Sequence, residues 1–125
     1  MNLIGIDHVV LCVRDVEKAR DFYSDLLGME PREERPGKWA LHFGSQKISL
    51  QDEANLPEIA RGTIPGTANF CLLAEDSVDF LVDRLRARGI EILAGPDERV
   101  GAMGTIRSLY FRDPDGNLVE VSNQL

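Results

Sequence analysis

Long apolar runs are missing from this chain of 125 residues. No stretch approaches the ~20 apolar residues that a membrane-spanning helix needs, so no membrane partner is expected. Positive charge is in deficit as well. Lys and Arg number 14 against 21 Asp and Glu, for a net charge of −7, which argues against nucleic acid or an anionic membrane surface as a partner. Cysteine is scarce. Cys12 and Cys71 lie far apart inside apolar runs without CxxC spacing, so they read as small buried residues rather than a disulfide or a zinc pair. That usage suits a reducing, cytoplasmic setting. The opening Met1-Asn-Leu-Ile-Gly-Ile-Asp-His8 has no cationic n-region, and no signal peptide is expected.

What remains is an ordinary globular composition, 43% hydrophobic and 28% charged, in a chain long enough to bury one domain's core. Residues 6–13 alternate as a strand, with Val9, Leu11 and Val13 on one face and His8, Val10 and Cys12 on the other. Asp15 caps a helix whose apolar stripe runs through Val16, Ala19, Phe22, Tyr23, Leu26 and Leu27, and Gly28 ends it. Strands follow at about 29–35, 38–43 and 47–51, the last two joined at Gly44-Ser45. Residues 52–66, with Pro57, Gly62, Pro65 and Gly66, read as a linker. The order then recurs: a strand at 67–74, a helix capped by Asp76 or Ser77 and stopped at Gly89, a strand at 90–94, a loop at 95–104, and a closing hairpin.

That hairpin organises the rest. Asp113-Pro114-Asp115-Gly116 fits a type I turn, with Leu109 and Phe111 before it and Val119 and Val121 after it on one apolar face. Glu120 falls on the opposite face. A carboxylate within a short apolar strand is costly when buried and unpaired, so its face is either wet or supplies a partner.

The recurrence is one of architecture. Asp15 to Asp76, Gly28 to Gly89 and His8 to Asn69 are each 61 residues apart, which marks two copies of one βαβββ unit. The expected fold is α+β: two tandem modules, about 1–52 and 67–125, joined by a linker at about 53–66 and forming an open, curled mixed sheet around a cavity. Each helix covers one sheet face. The other face collects His8, Cys12, His42, Ser49, Gln51, Asn69, Cys71, Ser108, Tyr110 and Glu120, a mostly polar set of the kind a binding site needs. Trp39 and Arg107 take matching helix-side places and are expected to pack or pair.

Three stretches carry a family resemblance: Ile-Asp-His-Val at 6–9, Asp-Phe-Tyr-Ser-Asp-Leu-Leu-Gly-Met at 21–29, and Phe-Arg-Asp-Pro-Asp-Gly-Asn-Leu-Val-Glu-Val at 111–121. They resemble the glyoxalase / bleomycin-resistance / extradiol-dioxygenase superfamily, the vicinal oxygen chelate fold, in its small single-domain form. The resemblance implies metal ligands on the first and last strands of each module, at His8, Ser49, Asn69 and Glu120. His8 and Glu120 match. Asn69 stands where a His is frequent and Ser49 is not a carboxylate, which leaves His8, Glu120, Asn69 and Gln51 as the metal set. Such a set suits a six-coordinate divalent ion that keeps its waters, rather than tetrahedral zinc or a two-His iron triad. It does not distinguish Mn, Fe, Ni, Mg and Zn.

The implied function is a metal-dependent lyase, isomerase or dioxygenase of unassigned reaction. Its metal would chelate neighbouring oxygens of a small oxygen-rich molecule. Glu120 and Tyr110 would act in catalysis, and His42, Ser49, Cys71, Ser108 and Tyr110 would line the substrate pocket. The alternative is a metal-free protein that binds or sequesters a small molecule, as bleomycin-resistance members do. The family also implies a homodimer, and the glycines of the 95–104 loop suggest a cover for the cavity mouth.

Overall fold

The computed structural model describes all 125 residues, Met1 to Leu125. They form two compact units, Met1–Gly66 and Thr67–Leu125, and each holds one βαβββ module. Module one runs β1 (His8–Val13), α1 (Val16–Leu27), β2 (Glu30–Arg35), β3 (Lys38–Phe43) and β4 (Gln46–Asp52). Module two runs β5 (Asn69–Leu73), α2 (Val78–Ala87), β6 (Ala94–Gly101), β7 (Gly104–Arg112) and β8 (Leu118–Gln124). The fold is α+β, as expected, with one four-stranded mixed sheet per module, ordered β1-β4-β3-β2 and β5-β8-β7-β6. Residues 53–66 carry two single 3-10 turns, Glu53–Asn55 and Glu58–Ala60. Neither helix is long and apolar enough to cross a membrane.

Local chemistry fixes each helix. Asp15 accepts from the Lys18 amide at 3.0 Å, and Gly28, at φ 70°, closes the other end of α1 by donating to Ser24 O. That left-handed angle strains any residue with a Cβ. Ala19, Tyr23 and Leu26 face inward, fully buried with Leu41 and Ile48 of the sheet. In α2 the cap is Ser77, whose Oγ accepts from the Asp79 amide at 3.2 Å. Asn123 reinforces it from β8. Its Oδ1 accepts from Val78 N at 2.9 Å, while its Nδ2 donates to Ala74 O at 2.9 Å and to Asp76 O at 2.8 Å.

The matching positions Trp39 and Arg107 both tie helix to sheet. The Arg20 guanidinium lies 4.6 Å over the Trp39 ring, and Arg107 grips the two carboxylate oxygens of Asp79 at 3.0 Å each.

One stretch departs from the sequence reading. The strand expected at 90–94 and the loop expected at 95–104 are instead a hairpin: β6 begins at Ala94 and β7 at Gly104. Gly95-Pro96 does not break the strand, because the ladder shifts register between Ala94 and Asp97 and the bulge absorbs both residues. β6 is the sheet edge, where a proline without an N–H is tolerated. Gly95 is needed there. At φ +85° its missing Cβ would stand 2.1 Å from Ser108 O.

Candidate functional site

In module two the terminal turn sets the register. Asp113 Oδ1 accepts from the amides of Asp115 and Asn117, each at 2.9 Å, and its Oδ2 takes the Asn117 side-chain amide at 2.8 Å. Asn117 Oδ1 then accepts from Ala68 N at 2.9 Å, which pins the start of β5 alongside β8. The result places Cys71 and Tyr110 directly opposite Glu120 on its two flanks, with Ser122 opposite Ser108 one pleat on.

These side chains share one face. Ser122 Oγ lies 2.8 Å from Ser108 Oγ, 3.2 Å from Cys71 Sγ and a long 3.4 Å from Glu120 Oε1. One hydroxyl carries one proton. A consistent arrangement has Ser108 donating to Ser122, which donates onward to Glu120. Cys12 is buried as expected, but Cys71 is exposed on its edge strand. Partial desolvation of its thiol, opposed by the Ser122 hydrogen bond and assisted by the Glu120 charge, pushes it upward. Burial, then Glu120, raises Tyr110 as well, against the pull of Arg99. Both groups stay protonated donors around a carboxylate, and Cys71 is a poor thiolate nucleophile or metal ligand. Arg99 reaches the same patch from β6, its guanidinium 5.6 Å from the Tyr110 ring centre. Asn69 sits one pleat before Cys71 on the exposed edge strand, opposite Leu118.

Module one holds the other candidates. On its corresponding face His8 lies opposite Lys47, Ser49 opposite both Val10 and Ala40, and Gln51 opposite Cys12. His8 Nδ1 is 2.7 Å from Asp7 Oδ1, with the imidazole side chain 45% exposed. That contact orients the ring and leaves Nε2 open. His42 does not stand alone: its Nε2 is 3.0 Å from Glu34 Oε1, and both Glu34 oxygens accept from Lys47 Nζ at 2.8 Å. Lys47 first, then His42, hold the Glu34 carboxyl below its ordinary range.

The structure thus brings Glu120, Tyr110, Cys71 and, through Ser122, Ser108 together. It sets His42 in an ion cluster that the sequence reading missed. Lys47 was legible by strand parity, since it alternates with Ser49 and Gln51. Glu34 was not, because it falls between Glu33 and Arg35 where the β2 ladder shifts register. Ser122 and Arg99 were missed as site residues, although Ser122 carries the parity of Glu120.

No three His, Cys, Asp or Glu side chains converge as a metal-holding group. The candidate donors amount to one imidazole, one carboxylate and two neutral amide oxygens. That chemistry fits a hard, water-retaining divalent ion weakly, and does not fit tetrahedral zinc or a two-His iron centre.

Comparison with known proteins matches residues 5–121 to the model of the Glyoxalase/Bleomycin resistance protein/Dioxygenase superfamily. A virulence protein of Salmonella typhimurium is 42% identical over 123 residues, covering 98% of this chain and 85% of that protein. The metallothiol transferase FosB of Shouchella clausii is 30% identical over 119 residues, covering 94% of this chain and 78% of the transferase. Among solved structures, the antibiotic-binding protein TnmS3 of a Streptomyces species superposes with a TM-score of 0.77 at 26% identity, covering 100% of this chain and 99% of that one. The paired βαβββ modules, the Asp113–Asn117 turn and the family match together make this chain a member of the glyoxalase / bleomycin-resistance / dioxygenase superfamily.

Proposed function

We propose that this protein binds a small, oxygen-rich molecule on the polar face of module two, with Glu120 as the central acceptor. The observation that carries this reading is the placement of Tyr110 and Cys71 on either side of Glu120. Both are held protonated, and they surround the only carboxylate on that face of β8. A ligand hydroxyl can donate to Glu120 while its other oxygens accept from the phenol and the neighbouring hydroxyls. The antibiotic-binding relative supports the same use of the fold.

The test is a thermal-shift screen of vicinal diols, catechols and hydroxy acids, run in chelator on wild type and Glu120→Gln. Compounds that raise the melting temperature of wild type are expected to lose most of that effect in the variant. Equal shifts in both proteins would overturn the reading.

The second reading is a metal-dependent enzyme, favoured by the Asp7–His8 contact at 2.7 Å. A carboxylate that fixes one imidazole nitrogen leaves the other ready to ligate, and the metallothiol transferase relative points the same way. His8, Glu120, Asn69 and Gln51 would hold the ion, which would polarise a substrate oxygen. Tyr110 would orient the substrate through its hydroxyl. Mn²⁺ titration separates the readings: an ion that uses both strong donors is lost in His8→Ala and in Glu120→Gln alike, whereas a metal-free site leaves no titration to lose.

The homodimer also belongs to this proposal. Leu3, Ile4 and Ile6 are 83%, 97% and 67% exposed ahead of the edge strand β1, an apolar surface suited to a second copy. A monomer mass by light scattering at micromolar concentration would contradict it.

A further inference from the structure

Module one contains a cleft of about 560 Å³, lined among others by Gly28, Glu30, Arg32, His42, Gly44 and Lys47. Its volume falls in the range of small-ligand sites. Glu30, His42 and Lys47 form one row across three strands, since Glu30 opposes His42 and His42 opposes Lys47. The two inner members are three-quarters covered, with side-chain exposures of 24% for His42 and 25% for Lys47.

The donors outnumber their partners. Arg32 spends only Nη2 on Glu30, at 2.8 Å, which leaves its Nε and Nη1 groups uncommitted in that pair. Lys47 Nζ, with three N–H bonds, meets Glu34 alone. Glu34 orients His42 and Lys47 from β2. The Glu30–Arg32 pair is a different matter. Both side chains are more than half exposed, at 63% and 53%, and an exposed ion pair of this kind contributes little, so another anion can exchange with Glu30 at small cost.

We propose that this cleft is an oxyanion site in which Arg32 and Lys47, with His42 beside them, bind the carboxylate or phosphate of a small molecule, and Glu30 is the internal counter-ion that the ligand replaces. The Arg32 fork suits a planar or tetrahedral oxyanion. The partly covered Lys47 ammonium meets it with less screening than a fully exposed charge. The site uses residues of module one only and does not depend on the Glu120 reading.

The probes are inorganic phosphate and acetate, titrated at fixed pH with chloride holding the ionic strength constant. The readout is the ring resonances of the chain's two histidines, assigned with His42→Asn. Wild type is expected to give a saturable shift at His42 with at least one probe. Arg32→Gln, on the exposed edge strand β2, should weaken that binding at least tenfold without unfolding the protein, and Lys47→Gln should do the same. Glu30→Gln should tighten it several-fold. A probe preference for phosphate or acetate identifies which oxyanion the cleft takes. A shift that never saturates, or that survives unchanged in Arg32→Gln, would reduce the effect to general screening and overturn the proposal.

Discussion

The two modules each tie their helix to the sheet from matching positions and present different side chains on the face the helix leaves uncovered. Trp39 in module one and Arg107 in module two occupy matching positions, and each ties its sheet to its own helix. The opposite faces diverge. Module one carries two ion pairs, Glu30 with Arg32 and Glu34 with Lys47. Module two carries hydroxyls, a thiol and a phenol around one carboxylate. The divergence begins in the second strand of each module. β2 reads Glu-Pro-Arg-Glu-Glu-Arg and is exposed throughout, whereas β6 is partly covered. Close packing constrains the helix-side half to the same solution twice. The open half carries no such constraint, and that is where function changes on a retained fold.

The sharpest way to break this comparison is in the helix-side core of each module. Phe111 is fully buried, whereas its counterpart Phe43 is only partly covered. Phe111→Ala should therefore cost about 3–5 kcal/mol of unfolding free energy, as large-to-small core changes do. Phe43→Ala should cost clearly less. Urea denaturation measures both, and equal losses would show that the two cores are more alike than their burial indicates.

The turns come next in size. Asn117→Ala removes the acceptor of the Ala68 amide and a donor to Asp113, and should cost about 2 kcal/mol or more through unsatisfied buried groups. The matching turn at Gly44-Ser45 has no such network, so Ser45→Ala should stay within about 0.5 kcal/mol. Both values come from urea midpoints.

Much of this was legible in the sequence, and the boundary has physical causes. Strand parity placed Glu120, Tyr110, Cys71 and Ser108 on one face, because side chains alternate whatever surrounds them. Asp15, Gly28 and the Asp113–Gly116 turn were legible because capping and turn geometry demand particular residues. β6 was not, because a bulge hides a strand behind Gly95-Pro96, two residues that normally end one. Glu34 was lost to a second irregularity, where parity fails by one residue. Which protons the site keeps depends on burial and neighbours, which no pattern displays.

A smaller effect appears with acid. Glu34 is held below its ordinary carboxyl range by Lys47 and then His42, and Asp79 chiefly by Arg107. A carboxylate depressed in the folded state stabilises above its unfolded pKa. That contribution is lost as pH falls through the folded value, because the unfolded chain takes up protons first. Stability should therefore decline from about pH 5 downward. Lys47→Gln and Arg107→Gln should each flatten part of that decline, one in each module. Urea midpoints between pH 6 and pH 3 read the slope, and an unchanged slope in both variants would remove these pairs from the account.

The central claim, that Glu120 anchors ligand on the polar face of module two, is tested most directly by calorimetric titration. The titrant is the tightest compound from the diol, catechol and hydroxy-acid screen, measured in chelator against wild type and Glu120→Gln. The account predicts at least a tenfold loss of affinity in the variant with its melting temperature nearly unchanged. Unaltered affinity in a folded Glu120→Gln protein would contradict it.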